Sequence, residues 1–173
     1  MTKEKINVFD YADTITKAIK RGCLLNTNGD KFNSMVIGWG NLGVLWNMET
    51  FVVYVRQSRY TKSQIDKTKE FTVSIALDED YDKEIYRICG TLSGRDINKA
   101  DYVTLVEPNV NHTPGIREYP LTIECEVLYT QDQVLSEIPQ EVLDHHYNGG
   151  TDPSDFHTAY IGKIVDAYII KDE

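Results

Sequence analysis

Apolar and polar residues alternate in two clear stretches of this chain. Phe71, Val73, Ile75 and Leu77 interleave with Thr72, Ser74 and Ala76, which predicts a half-buried strand. Leu121 to Val127 repeats the alternation with Glu124 and Glu126 pointing outward, as in an antiparallel sheet wetted on one face. Phe51 to Val55 is a continuous β-branched and aromatic run that reads as a buried strand. Tyr160 to Ile170 predicts a long final strand, with Gly162 a bend or bulge. Asn28-Gly29, between Cys23-Leu24-Leu25 and Phe32, is a strong hairpin signal. Short helices are expected between the strands. Asp13 is placed to cap one over 14–21 that Gly22 ends, and others cover 61–68, 81–88 and 139–146 after Pro139. The pattern is that of a mainly β protein, a β-barrel decorated with short helices, in one domain covering residues 1–173. Tyr147 to Phe156, with Asn148-Gly-Gly and Asp152-Pro-Ser, is the longest flexible loop expected.

Composition narrows the classes of function. A net charge of −9 lacks the broad basic face of a nucleic-acid binder. Within residues 51–70, however, five basic residues meet two acidic ones, a local +3 that leaves −12 on the rest of the chain. A basic island in an acidic protein suits a small anionic ligand, although Lys62, Lys67 and Lys69 also fit a solvated helix face. Three widely spaced cysteines, Cys23, Cys89 and Cys125, imply neither a disulfide framework nor a zinc site, and the expected compartment is the cytoplasm. No apolar run approaches the roughly 18 residues that span a bilayer, so no membrane role is expected.

Three segments carry candidate chemistry. Tyr54-Val-Arg56-Gln-Ser58-Arg59-Tyr60-Thr61 leaves a strand and enters a helix, and Thr61-Lys-Ser-Gln64 has the form of a capping box. A helix N-terminus flanked by guanidinium and hydroxyl groups favours an anion through its unpaired N–H groups and its dipole. Asn33-Ser34-Met35-Val36 leads to Gly38-Trp39-Gly40, either a backbone that faces a ligand or a kinked barrel strand with Trp39 as core filler. Cys89-Gly-Thr-Leu-Ser93-Gly94-Arg95-Asp96 with Lys99 offers turn N–H groups and two cations, and Ser93-x-x-Asp96 equally reads as a helix cap. His157 opens the last strand, where a lone histidine is most simply structural or solvent-facing. His145-His146 diverge on a helix and make a poor metal pair, so no metal site is expected.

Taken together, these segments resemble the flavin reductase-like and flavoredoxin-type branch of the FMN-binding split-barrel proteins. The matching residues are Asn33-x-Met35-x-x-x-Trp39, Arg56-x-Ser58-Arg59-Tyr60-Thr61, Cys89-Gly90-Thr91-x-Ser93-Gly94-Arg95-Asp96-x-x-Lys99 and, more loosely, Phe156-His157 through Gly162 to Val165. The resemblance implies a six-stranded antiparallel split barrel, a homodimer and one FMN per subunit. It sets the FMN phosphate against Arg56, Ser58, Arg59, Tyr60 and Thr61, with Cys89, Ser93, Gly94, Arg95 and Lys99 beside it. It lays Asn33, Ser34, Met35, Val36 and Trp39 along the ribityl chain and ring, with His157 at the edge of the substrate pocket. The chain departs from the family pattern at Met48-Glu49 after Trp46-Asn47, and at Ala100 after Asn98-Lys99. The implied activity is that of an NAD(P)H-dependent flavin reductase in which a nicotinamide passes hydride to flavin N5, with no protein catalytic residue required. The alternative is a non-enzymatic FMN carrier between redox proteins. A flavin-free barrel and a pyridoxamine-phosphate oxidase rank below both.

Overall fold

A computed structural model describes residues 1–79 and 81–172. The chain starts with β1 (Thr2–Lys5), α1 (Ala12–Arg21), β2 (Cys23–Asn28), β3 (Phe32–Ile37), β4 (Gly40–Leu45) and β5 (Met48–Arg56). Then come α2 (Tyr60–Thr68), β6 (Glu70–Ile75), α3 (Lys83–Thr91), the short β7 (Leu105–Val106) and β8 (Gly115–Ile116), and β9 (Leu121–Asp132). α4 (Gln140–His146) and β10 (His157–Lys171) complete it.

The main sheet is antiparallel in the order β3-β2-β6-β9-β10-β5-β4, and β1 pairs with the far half of β10. It holds eight strands rather than the six expected. β3 and β4 lie at opposite ends of that order, yet only Gly38 and Trp39 separate them in the chain. Three residue steps span at most about 11 Å, so the sheet must curl until its two edges nearly meet. β3 and β4 do not pair with each other, and the sheet is not closed. The result is a barrel split along one seam. No helix among the described residues is long and apolar enough to cross a membrane.

The barrel interior is packed with Leu25, Phe51, Val53, Phe71, Val73, Ile123 and Tyr160, and Ile15 and Ile19 of α1 join the same core. α1 ends at Gly22 (φ 111°) as the sequence predicts, but Asp13 does not cap it. Asn7 caps a preceding 3-10 turn (Val8–Tyr11) that runs straight into the helix, and Asp13 pairs with Lys17 instead.

The half-wetted strands of the sequence reading are buried on both faces. Thr72, Ser74, Thr122 and Glu124 are fully buried, because the segment from 109 to 116 and α3 cover that side of the sheet. Thr72 Oγ1 donates to Pro114 O, and the Ile116 N–H donates to Ser74 Oγ. Of the two glutamates expected outside, only Glu126 is exposed.

Gly162 does mark a bulge: β10 shifts its register on β9 between Ile161 and Gly162, where Leu128 is the extra residue. A Cβ there would lie 2.5 Å from the Phe71 ring and 2.8 Å from Cys125 Cβ, both in the packed interior. Gly162→Ala should therefore destabilise the protein by about 1–3 kcal/mol through overpacking, measured as a lower urea midpoint at unchanged slope.

Candidate functional site

The site forms where the seam edge β3 meets two chain turns. β5 delivers the chain to residues 57–59, and α2 begins with Arg59 as its N-cap, without a side-chain cap. The expected capping box does not form. Thr61 Oγ1 accepts from Asn33 Nδ2 at 2.9 Å, while Gln64 Oε1 accepts from the Gly29 and Asp30 N–H groups of the β2–β3 turn. These two turn donors draw Gln64 away from its own helix. The Tyr60 and Thr61 N–H groups are left without a hydrogen bond among the described residues.

These N–H groups belong to a first cleft of about 230 Å³. Asn33, Met35 and Val36 of β3 line one side, Ser58 to Thr61 another, and Cys89 to Arg95 with Lys99 a third. The lining contains three cations, Arg59, Arg95 and Lys99, and no carboxylate. Lys99 is buried, its Nζ donating to Ser34 O (2.5 Å) and Cys89 O (3.1 Å), and burial followed by the Arg59 charge draws its pKa down. Such an ammonium is stabilised by any anion that enters. Arg95 reaches over the Tyr60 ring (5.4 Å) to donate to Ser58 O. Ser93 Oγ accepts from Arg95 N in a turn, so the alternative reading of Ser93-x-x-Asp96 as a helix cap fails.

A second cleft of about 220 Å³ opens from the first, sharing Met35, Val36 and Arg59 and adding Ile37, Gly38, Trp39, Tyr54, Arg56 and His157. Trp39 is 38% exposed, so it is not core filler. Its ring lies 4.7 Å from His157 and 5.2 Å from His146. Arg56 stands apart from the other residues expected at the phosphate. Its Nη1 donates to both carboxylate oxygens of Asp155 (2.6 and 2.7 Å) and its Nη2 to His146 O, tying residues 146–155 to the barrel beside the second cleft. Ser34 contributes its carbonyl to Lys99 and its hydroxyl to the Cys89 thiol, while Asn33 Oδ1 is buried. Among the described residues no cluster could hold a metal ion.

His157 is buried rather than solvent-facing, with Nδ1 2.9 Å from the Tyr147 hydroxyl. Burial first, then the Arg56 charge, push its pKa down to about 4. The unfolded chain therefore binds a proton near pH 6.5 that the folded protein refuses. Stability contributed by this group is intact above about pH 6.5 and is lost as pH falls toward 4. His157→Gln should flatten the pH dependence of the melting temperature over that window.

Tyr147 and Gln133 are hydrogen-bond neighbours of His157 that the sequence reading missed. Tyr147 sits at the start of a loop taken as flexible, and nothing in its spacing ties it to residue 157. The model of the flavin reductase-like domain family matches residues 23–173, nearly the whole chain. The protein belongs to this family. Among solved structures it is similar to a flavoredoxin from Methanosarcina acetivorans, at 25% identity and TM-score 0.65 over 87% of this chain and 68% of that one. A flavoredoxin of Desulfovibrio vulgaris shares 22% identity (TM-score 0.65; 87% and 69% covered). Nitrilotriacetate monooxygenase component B from Bacillus cereus shares 18% (TM-score 0.68; 97% and 79% covered). No match was found among curated proteins. As a flavin reductase-like domain, the chain carries its two clefts along the split of the barrel.

Proposed function

We propose that this protein binds FMN along the continuous groove, phosphate in the first cleft and ring in the second, and acts as an NAD(P)H-dependent flavin oxidoreductase. The observation that carries this reading is the first cleft's lining: three cations and two free helix N–H groups with no acid among them. Gly94 closes the wall of the same cleft, where a Cβ would stand 2.0 Å from Asn33 Oδ1.

In this reading, Lys99, Arg59 and the start of α2 hold the phosphate, with Ser58, Thr61 and Ser93 beside them. Arg95 closes that end through Ser58 and Tyr60. Met35, Val36 and Trp39 supply apolar surface for the ring and exclude water from it. Bound FMN would supply the redox chemistry, and the protein the position and the field. A homodimer and a nicotinamide donor belong to the same proposal.

A carrier role is the second reading, favoured by the likeness to two flavoredoxins. Anaerobic mixing of the FMN-loaded protein with NADH or NADPH separates the two. The oxidoreductase reading expects the flavin band to bleach within seconds. Bleaching only by a reduced redox protein would replace that reading with the carrier.

A further inference from the structure

The two clefts follow β3, the second beside Ile37 to Trp39 and the first beside Asn33 to Val36, so Asn33 marks the far end of the groove. Three contacts shut that end. Asn33 Nδ2 donates to Thr61 Oγ1 at 2.9 Å. Gly94 packs against both Asn33 and Tyr60, where a Cβ would stand 2.0 Å from Asn33 Oδ1 and 2.9 Å from Tyr60 Cδ1. Arg95 then arches over the Tyr60 ring, and its Nη1 donates to Ser58 O at 3.2 Å. The two turns that line the cleft are thereby joined across its end. A further hollow of about 460 Å³ shares Ser58 with the first cleft. Its lining includes Asp152 and Asp155 and no cation, so an anion that passes Ser58 leaves basic surroundings for acidic ones.

We propose that Arg95, clasped to Ser58 across Tyr60, is a specificity-determining residue that makes the groove blind, so that it admits a flavin ending in a phosphate monoester and excludes the flavin dinucleotide. The proposal rests on the reading that a flavin fills the groove with its phosphate in the first cleft. A monoester gathers about −1.5 to −2 charge on one terminal group near neutral pH. Lys99, Arg59 and the start of α2 face that group together, and it needs no exit. In the dinucleotide each phosphate is a diester with a single charge. The second phosphate and its adenosine must leave through the space that Arg95 and Ser58 hold. Leaving there breaks the clasp and carries negative charge toward Asp152. The mononucleotide meets neither penalty.

The test dialyses the protein to equilibrium against equimolar FMN and FAD, then separates the retained flavins by chromatography and counts them per chain. FMN should be retained in preference to FAD by about 100-fold, as expected when the wrong ligand meets both a blocked path and like charge. Arg95→Ala should cut that preference by about tenfold or more. Separate titrations of each flavin should assign the change to a gain in FAD affinity. Arg95 is exposed, and circular dichroism checks that the variant folds. The comparison in the unaltered protein stands whether or not it does. Equal retention of FMN and FAD by the unaltered protein would overturn the proposal and leave the flavin reading intact. So would a folded Arg95→Ala variant whose FAD affinity does not rise, since Arg95 would then be a phosphate ligand and nothing more. Retention of neither flavin would overturn the underlying reading, and the proposal with it.

Discussion

Glu124→Ala should destabilise the protein by about 3–4 kcal/mol, the largest stability effect expected of one side chain here. The carboxylate is fully buried on the sheet face away from the barrel interior. It accepts from three successive backbone N–H groups: Asn109 (2.6 Å), Val110 (2.9 Å) and Asn111 (2.9 Å). Truncation leaves all three donors without their acceptor. It also frees a segment whose Asn111 side chain otherwise bonds Phe71 O and Cys125 O across the sheet. For a chain of this size the loss corresponds to a melting temperature lower by roughly 6–16 °C. Glu124→Gln keeps one acceptor oxygen and should lose less. Thermal denaturation of both variants checks this, and an alanine variant within 2 °C of the parent would refute the latch.

Lys99→Met should weaken FMN binding roughly 10- to 150-fold, the range for a lost charge-assisted hydrogen bond of about 1.5–3 kcal/mol. The ammonium is buried with two carbonyls for partners and no carboxylate beside it. A phosphate oxygen would supply the missing negative charge. Because burial already lowers its pKa, FMN affinity in the parent should decline with rising pH before an ordinary lysine would lose its proton. Methionine keeps most of the volume, and circular dichroism checks that the fold survives. Lys67→Met is the control: Lys67 is on α2 but outside both clefts and paired with Asp30, so its loss should leave affinity unchanged. Fluorescence titration of FMN with each variant reads the difference.

The strands and hairpin were legible because alternation and Asn28-Gly29 are local signals. The segments around Asn33, Ser58 and Ser93 each showed the residue types that an anion site needs, and the fold brings them to one cleft. Side-chain partners across the sheet were not legible. Glu124 alternates like a solvent residue, and its burial depends on a covering segment with no periodicity of its own. Arg56 has the same chemistry as Arg59 in sequence, yet Asp155, 99 positions later, claims it. Thr61 and Gln64 fit a capping box locally, and long-range partners in the β2–β3 turn and β3 took both. Local pattern picked out residues that the fold gathers in one cleft, and tertiary contact decided which of them stay unpaired there.

The most direct test of the central claim is a visible absorption spectrum of the purified protein, recorded before and after addition of FMN and desalting. An FMN-binding groove predicts a retained flavin band, with about one flavin per chain. No retained band, together with no change in FMN fluorescence on titration into the micromolar range, would contradict it.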